Sequence, residues 1–237
     1  VDTTPFAVGA NLPALAALVA DRVRDLIVHG GLAPGERVKE AELAAAMQVS
    51  RGPVREAIAL LAAEGLIETQ RYRGARVIEM SARDIDEVYS LRLAIERLAM
   101  ARAAERMTAE IRGAMDDVLA RMKDLPPGAA VADVVALDLE FHDLVYEAAD
   151  HRRLDRTWAP IRSQVSVFLN ARTDKDYFRR TSWEKHRALR DVLVAGGPEA
   201  AVAAVERHIG WALHRLAPSH VNETGAEPEA RTPERTT

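Results

Sequence analysis

The chain has 237 residues, of which 48% are apolar, so it can bury one large core or two modest ones. It has no cysteine, which excludes disulfides and thiolate metal sites and leaves only nitrogen and oxygen ligands for any metal. The net charge of −4 argues against a uniformly basic nucleic-acid binder, and no apolar run approaches the roughly 20 residues of a membrane span. With no signal-peptide pattern either, a cytoplasmic protein is expected.

Aromatic residues are scarce, and most segments repeat their apolar positions every three or four residues, so a mainly α protein is expected. Residues 1–13 read as a flexible arm. Three helices follow, at about 14–29, 39–47 and 51–63. The last two are separated by Gln48-Val49-Ser50, which is a helix-turn-helix spacing. Ser50 is a candidate N-cap, and Pro53 is tolerated in the first turn that follows. Val54, Ala57, Ile58 and Leu61 share one face of this helix, while Arg51 and Arg55 share another near its N-terminal end. Arginine there can bond guanine bidentately, and the small residues behind it let a helix sit close to the groove.

Residues 65–80, GLIETQRYRGARVIEM, place β-branched residues on either side of Arg71-Tyr72-Arg73-Gly74 and predict a hairpin with a basic tip. Such a wing suits phosphate or the minor groove. From residue 50 to 76 five arginines face three glutamates, so the basic character is local, and a helical domain with merely solvated arginines is the bland alternative. The candidate DNA-contacting set is Ser50, Arg51, Gly52, Arg55, Arg71, Arg73 and Gly74.

The stretch from Gly30 to Val77, with LAPGERV, VSRGPVREA, EGLIE and RGARV in order, resembles the winged-helix domain of the GntR family of bacterial transcription regulators. The resemblance spans about residues 14–80. It implies that Arg51 and Arg55 read bases and that the wing holds the duplex. The family often has Arg at the position of Ala41, Gly at Gln48 and Thr at Gly52.

After Ser81, a candidate N-cap, helical periodicity continues to about Ala217, with breaks near Thr108, Pro126-Pro127, Asp150, Thr173 and Gly196-Gly197-Pro198. An antiparallel bundle of about six helices is predicted over 81–217. Residues 218–237 are polar, contain proline and read as a disordered tail.

Several polar residues fall where this bundle needs apolar ones. In the first of its helices, Arg92 projects into the stripe of Ile85, Val88, Ile95 and Ala99. A guanidinium keeps its charge, so a buried one needs an anion. Glu96, one turn on, could supply it, and so could an external acid. In LDLEFHDL, residues 137–144, Asp138 falls in the middle of the stripe of Val131, Val134, Phe141 and Val145, with His142 on its flank one turn later. Glu140 and Asp143 project to the other side and read as solvated. His186 falls among Trp183, Leu189 and Leu193, and His208 borders Ala201, Val205, Ile209 and Ala212, whereas His214 projects to the polar side. Singly, each histidine reads as a hydrogen-bonded core residue. Together, Asp138, His142, His186 and His208 make a candidate site for Zn²⁺, or for Ni²⁺ or Mn²⁺ if waters complete a larger shell. An acidic metabolite bridging that metal and Arg92 would satisfy both.

Arg92 with Glu96, DLEFHDL, EKHRAL and AVAAVERHI resemble the motifs of the FCD ligand-binding domain, which follows the winged helix in the FadR subfamily of GntR regulators. This resemblance spans residues 81–216. It implies that the four residues bind a divalent metal, that a small organic acid sits on it, and that acyl-CoA is not the ligand. Asp150-His151 stands where Gly-Asn is typical, and Gly197-Pro198 where Gly-Asp is common. A homodimeric regulator, more often a repressor, reading a palindromic operator under control of a small carboxylate is expected. A metal sensor whose signal is the ion itself, and a metal-dependent hydrolase, are the alternatives, although no nucleophile or general-base motif supports the latter.

Overall fold

A computed structural model describes residues 12–70, 74–172 and 175–216. The proposed arm up to residue 11, the wing tip with Arg71 and Arg73, and the proposed tail 218–237 lie outside the described residues. Three helices form first: α1 Leu12–Val28, α2 Glu40–Ala46 and α3 Arg51–Ala63. They pack through Val19, Val23, Ala44, Val54, Ile58 and Leu61 into one core with the sheet. Ser50 occupies the N-cap position of α3 with extended backbone, but its side chain makes no cap hydrogen bond, contrary to the sequence reading. The turn before it is made by Gln48 at φ 54°, a left-handed conformation that glycine adopts without steric cost.

The hairpin consists of β2 Ile67–Gln70 and β3 Gly74–Val77, antiparallel with Ile67 opposite Val77. A short strand absent from the sequence reading, β1 Arg37–Val38, pairs with the other edge of β3 and gives the order β1-β3-β2. Two residues carry too little periodicity to be read as a strand. Gly74, at φ 83°, begins β3 beside the wing tip.

Six helices follow: α4 Ala82–Arg106, α5 Ala109–Lys123, α6 Val131–Ala149, α7 Arg152–Arg172, α8 Lys175–Ala195 and α9 Gly197–Leu216. Each starts or stops where the sequence changes character. Ser81 and Asp84 form a reciprocal capping box at the start of α4, and Thr108 caps α5 by accepting from the Ile111 amide. Pro126-Pro127 separates α5 from α6, and Asp150, at φ 47°, ends α6 in a left-handed turn. Helix α4 packs its inner face against α6, α7 and α9 and so contributes heavily to the second core.

Helix α7 belongs to both cores. Ile161, Val165, Phe168 and Leu169 pack within the bundle, whereas Val167 packs among the residues of the first core. At the C-terminal end of α3, the Ser163 hydroxyl donates to Glu64 Oε2 at 2.9 Å and the Gln164 amide donates to the Glu64 carbonyl at 3.0 Å. Arg24 of α1 donates to both Glu64 carboxylate oxygens, at 2.9 and 2.6 Å. Gly65 follows at φ 70°, and a Cβ there would lie 2.4 Å from Gln164 Nε2. The backbone of Glu64-Gly65 and the α7 side chain therefore fit closely, which a larger residue would disturb.

Candidate functional site

The inward polar residues converge. Helix α4 brings Arg92 and Glu96, α6 brings Asp138 and His142, α8 brings His186 and α9 brings His208. Arg92, Glu96, Asp138, His142 and His186 are all buried, and His208 is partly so. Among the described residues, one ligand atom from each of Asp138, His142, His186 and His208 lies within 4.8 Å of every other. Two atoms bound to one ion at about 2.1 Å cannot lie more than about 4.2 Å apart, so the set has only to close slightly to share one. The imidazoles crowd each other, with ring centroids 5.5 Å apart for His142 and His186 and 4.8 Å for His186 and His208.

Their hydrogen bonds leave metal-facing atoms without partners. His186 Nδ1 donates to the Ser182 carbonyl at 2.8 Å, which assigns the lone pair to Nε2. That Nε2 faces Asp138 Oδ1 at 3.1 Å. Two acceptors pointing at one another require a proton or a cation between them. His142 Nδ1 lies 2.9 Å from Glu96 Oε2, an ion-pair distance at which neither atom completes a hydrogen bond, so the carboxylate stands beside the ring without fixing its orientation. Asp138 Oδ2, His142 Nε2 and His186 Nε2 are buried without a hydrogen-bond partner. These donor types fit a divalent ion of the zinc, nickel or manganese class.

The surrounding charges keep both carboxylates ionised. Burial opposes ionisation of Asp138, but His186, His142 and Arg92 outweigh it and hold the carboxyl at about 2. Burial likewise opposes ionisation of Glu96, but Arg92 and His142 bring it down to about 2. Burial and the neighbouring imidazoles push His208 well below the usual histidine range, leaving it neutral, as a ligand must be.

Arg92 forms the expected local pair with Glu96 and keeps one nitrogen unpaired. Its Nε donates to Glu96 Oε1 at 2.6 Å, so the local pair forms, while its Nη2 is buried without a partner. A cavity of about 20 Å³ lies against Arg92, Asp138, His186, His208, Leu169 and Phe178. That is room for about one water, so a larger ligand must move a wall.

Sequence reasoning missed some of the surroundings. Glu96 was read only as a partner for Arg92, and its position beside His142 depends on how α4 meets α6. Asp143, expected to be solvated, instead accepts from Trp158 Nε1 at 2.7 Å and from Arg162 Nε at 2.8 Å. Glu140 pairs with Arg121 on the surface, as a solvent-facing position should.

On the first core, Arg51 and Arg55 are exposed, and Arg55 reaches Glu40 at 3.3 Å. Gly52 is exposed beside them, with only Ser50 Oγ near its missing side chain. Among the described residues, no helix is long and apolar enough to cross a membrane.

Residues 15–77 match the family of bacterial regulatory proteins named gntR, and residues 87–210, just over half of the chain, match the FCD domain. The chain belongs to the GntR family. Consistent with this, it is 35% identical over 211 residues to a probable D-xylose utilization operon transcriptional repressor of Paenarthrobacter nicotinovorans, covering 86% of this chain and 90% of that one. A putative GntR transcriptional regulator from Rhodococcus sp. RHA1 superposes with a TM-score of 0.69 at 25% identity, covering 86% and 97% of the two chains. E. coli McbR/YncC shares the fold, with a TM-score of 0.75 at 20% identity and coverage of 85% and 96%. This GntR protein is thus a DNA-binding transcriptional regulator with an FCD domain, and its relatives are regulators rather than enzymes.

Proposed function

We propose that the protein is a dimeric cytoplasmic repressor whose DNA affinity is set by a small organic acid held on a divalent ion. Asp138, His142, His186 and His208 hold the ion, and Arg92 Nη2 meets the acid. When bound, the ion supplies positive charge and open positions for a carboxylate. One observation carries the reading: buried, unpartnered ligand atoms from separate helices converge beside a guanidinium that still has a free nitrogen. An acid satisfies both groups, whereas an ion alone leaves Arg92 Nη2 unpaired, which favours an acid effector over pure metal sensing.

Ser50, Arg51, Gly52 and Arg55 would face the major groove, with Arg71, Arg73 and Gly74 of the wing along the backbone. Ser50, whose hydroxyl is not used in a cap, is free to bond a phosphate. Two such heads on a two-fold axis read a palindromic operator. Repression agrees with the named role of the P. nicotinovorans relative. Because the cavity holds about one water, an acid must displace the walls that include Leu169 of α7, and α7 is tied to the end of α3. Binding would therefore favour one arrangement of the reading head, to the extent that it prefers that state.

Elemental analysis of untagged protein tests the site. About one divalent ion per chain is expected, and His186→Ala should lose it. Stable wild-type protein that holds no ion after exposure to zinc, nickel and manganese would refute the site.

A further inference from the structure

A second cavity, of about 290 Å³, lies between α8 and α9 against the candidate metal site. The inner cavity beside Arg92 and Asp138 has room for about one water. Lys185 and His208 line both, so their side chains form the partition between the outer space and the inner one.

His208 differs from the other candidate ligands in two ways. Asp138, His142 and His186 are buried, whereas His208 is half-buried. His186 is anchored by the hydrogen bond from its Nδ1 to the Ser182 carbonyl, and His208 has no such anchor among the described residues. A ring held by packing alone turns more readily than one also tied to the backbone, because no hydrogen bond has to break first. Ala188, Leu189 and Val192 of α8 and Ala204 of α9 give the outer cavity hydrocarbon walls, which offer an ion no ligand. Protonated lysine and arginine offer none either, since they carry no lone pair. An ion that reaches this cavity therefore meets one usable side chain, the imidazole of His208, and that imidazole belongs to the site behind it.

We infer that the divalent ion is loaded and released through the cavity between α8 and α9, with His208 as the first ligand it meets and as the wall that turns to admit it. This rests on the metal reading above and adds a route to it. Arg207 lines the same cavity and is exposed, so its positive charge slows an approaching cation at low ionic strength.

The test is stopped-flow zinc exchange in the full chain. Association is followed after the protein has been stripped of metal, and release is followed into excess chromophoric chelator. Ala188→Trp fills the cavity from an exposed position, and Val194→Trp is a control at an exposed position of the same helix outside the lining. Ala188→Trp should slow association and release alike, by roughly tenfold or more, and leave the equilibrium affinity unchanged, because narrowing a route raises the barrier equally in both directions. Val194→Trp should exchange zinc as wild type does. Arg207→Glu should speed association several-fold at low salt and leave it unchanged at high salt. Wild-type exchange rates in a folded Ala188→Trp protein overturn the inference and leave the metal site standing. If that variant loses the wild-type far-UV spectrum, Arg207→Glu decides alone, and a wild-type association rate at low salt overturns the inference. Wild-type protein that binds no zinc removes the metal reading, and the inference falls with it.

Discussion

Arg92 cannot be removed without consequence, because Glu96 is fully buried and depends on it for its countercharge. Arg92→Ala should cost about 3–5 kcal/mol by denaturant unfolding, and pairing it with Glu96→Leu should recover part of that loss. A single variant that unfolds at the wild-type midpoint would show that the pair is not buried as a charge pair. On the DNA side, Arg51→Ala should cost about 1–3 kcal/mol on a selected duplex and less on random DNA. Equal losses on both would remove its base-reading role. At this scale, Asp138, His142, His186 and Arg92 were legible because a polar residue stands out in an apolar helical stripe. Trp158 was not, because an aromatic residue looks like ordinary core, and its hydrogen bond to Asp143 becomes visible only once the neighbouring helices are packed around it.

Helix ends carry the local instructions. Ser81→Ala should destabilise the protein by about 1 kcal/mol, since the Ser81 side chain accepts from the Asp84 amide at the start of a long helix. The Asp84 carboxyl, which accepts from both the hydroxyl and the amide of Ser81, is held below its ordinary range by those bonds. Its contribution is therefore present above the usual carboxylate range and fades as pH falls through it, which an acid titration of Asp84→Asn against wild type would measure. Helix boundaries could be read from Ser81, Thr108, the proline pair and Asp150 because capping and turn chemistry is local. Strand β1 could not, since its only support is pairing with β3, nearly forty residues away. Ser50 shows the converse: a residue of the right type at the right position makes no cap hydrogen bond. Gln48 takes the left-handed turn where the family often has glycine, so the departure marks a conformation the fold still requires.

Helix α7 packs into both cores. Leu169 of α7 lines the cavity at the candidate ligands, and five residues earlier Gln164 bonds the end of α3. Gln164→Ala should leave metal content unchanged but weaken the effect of an acid on DNA affinity by about 0.5–2 kcal/mol. An unaltered effect would direct attention to other contacts between the cores. This bridge was invisible in the sequence because Val167 and Leu169 are equally apolar, and only the tertiary arrangement assigns them to different cores.

If an acid at the candidate metal site controls DNA affinity, a binding titration on a duplex selected from random DNA by the metal-loaded protein will register it. Metal alone should leave that affinity essentially unchanged, and adding a stabilising acid should lower it by roughly 5–150-fold, with the effect lost in His186→Ala. Release of DNA by the ion alone, or an undiminished acid effect in His186→Ala, would contradict the account.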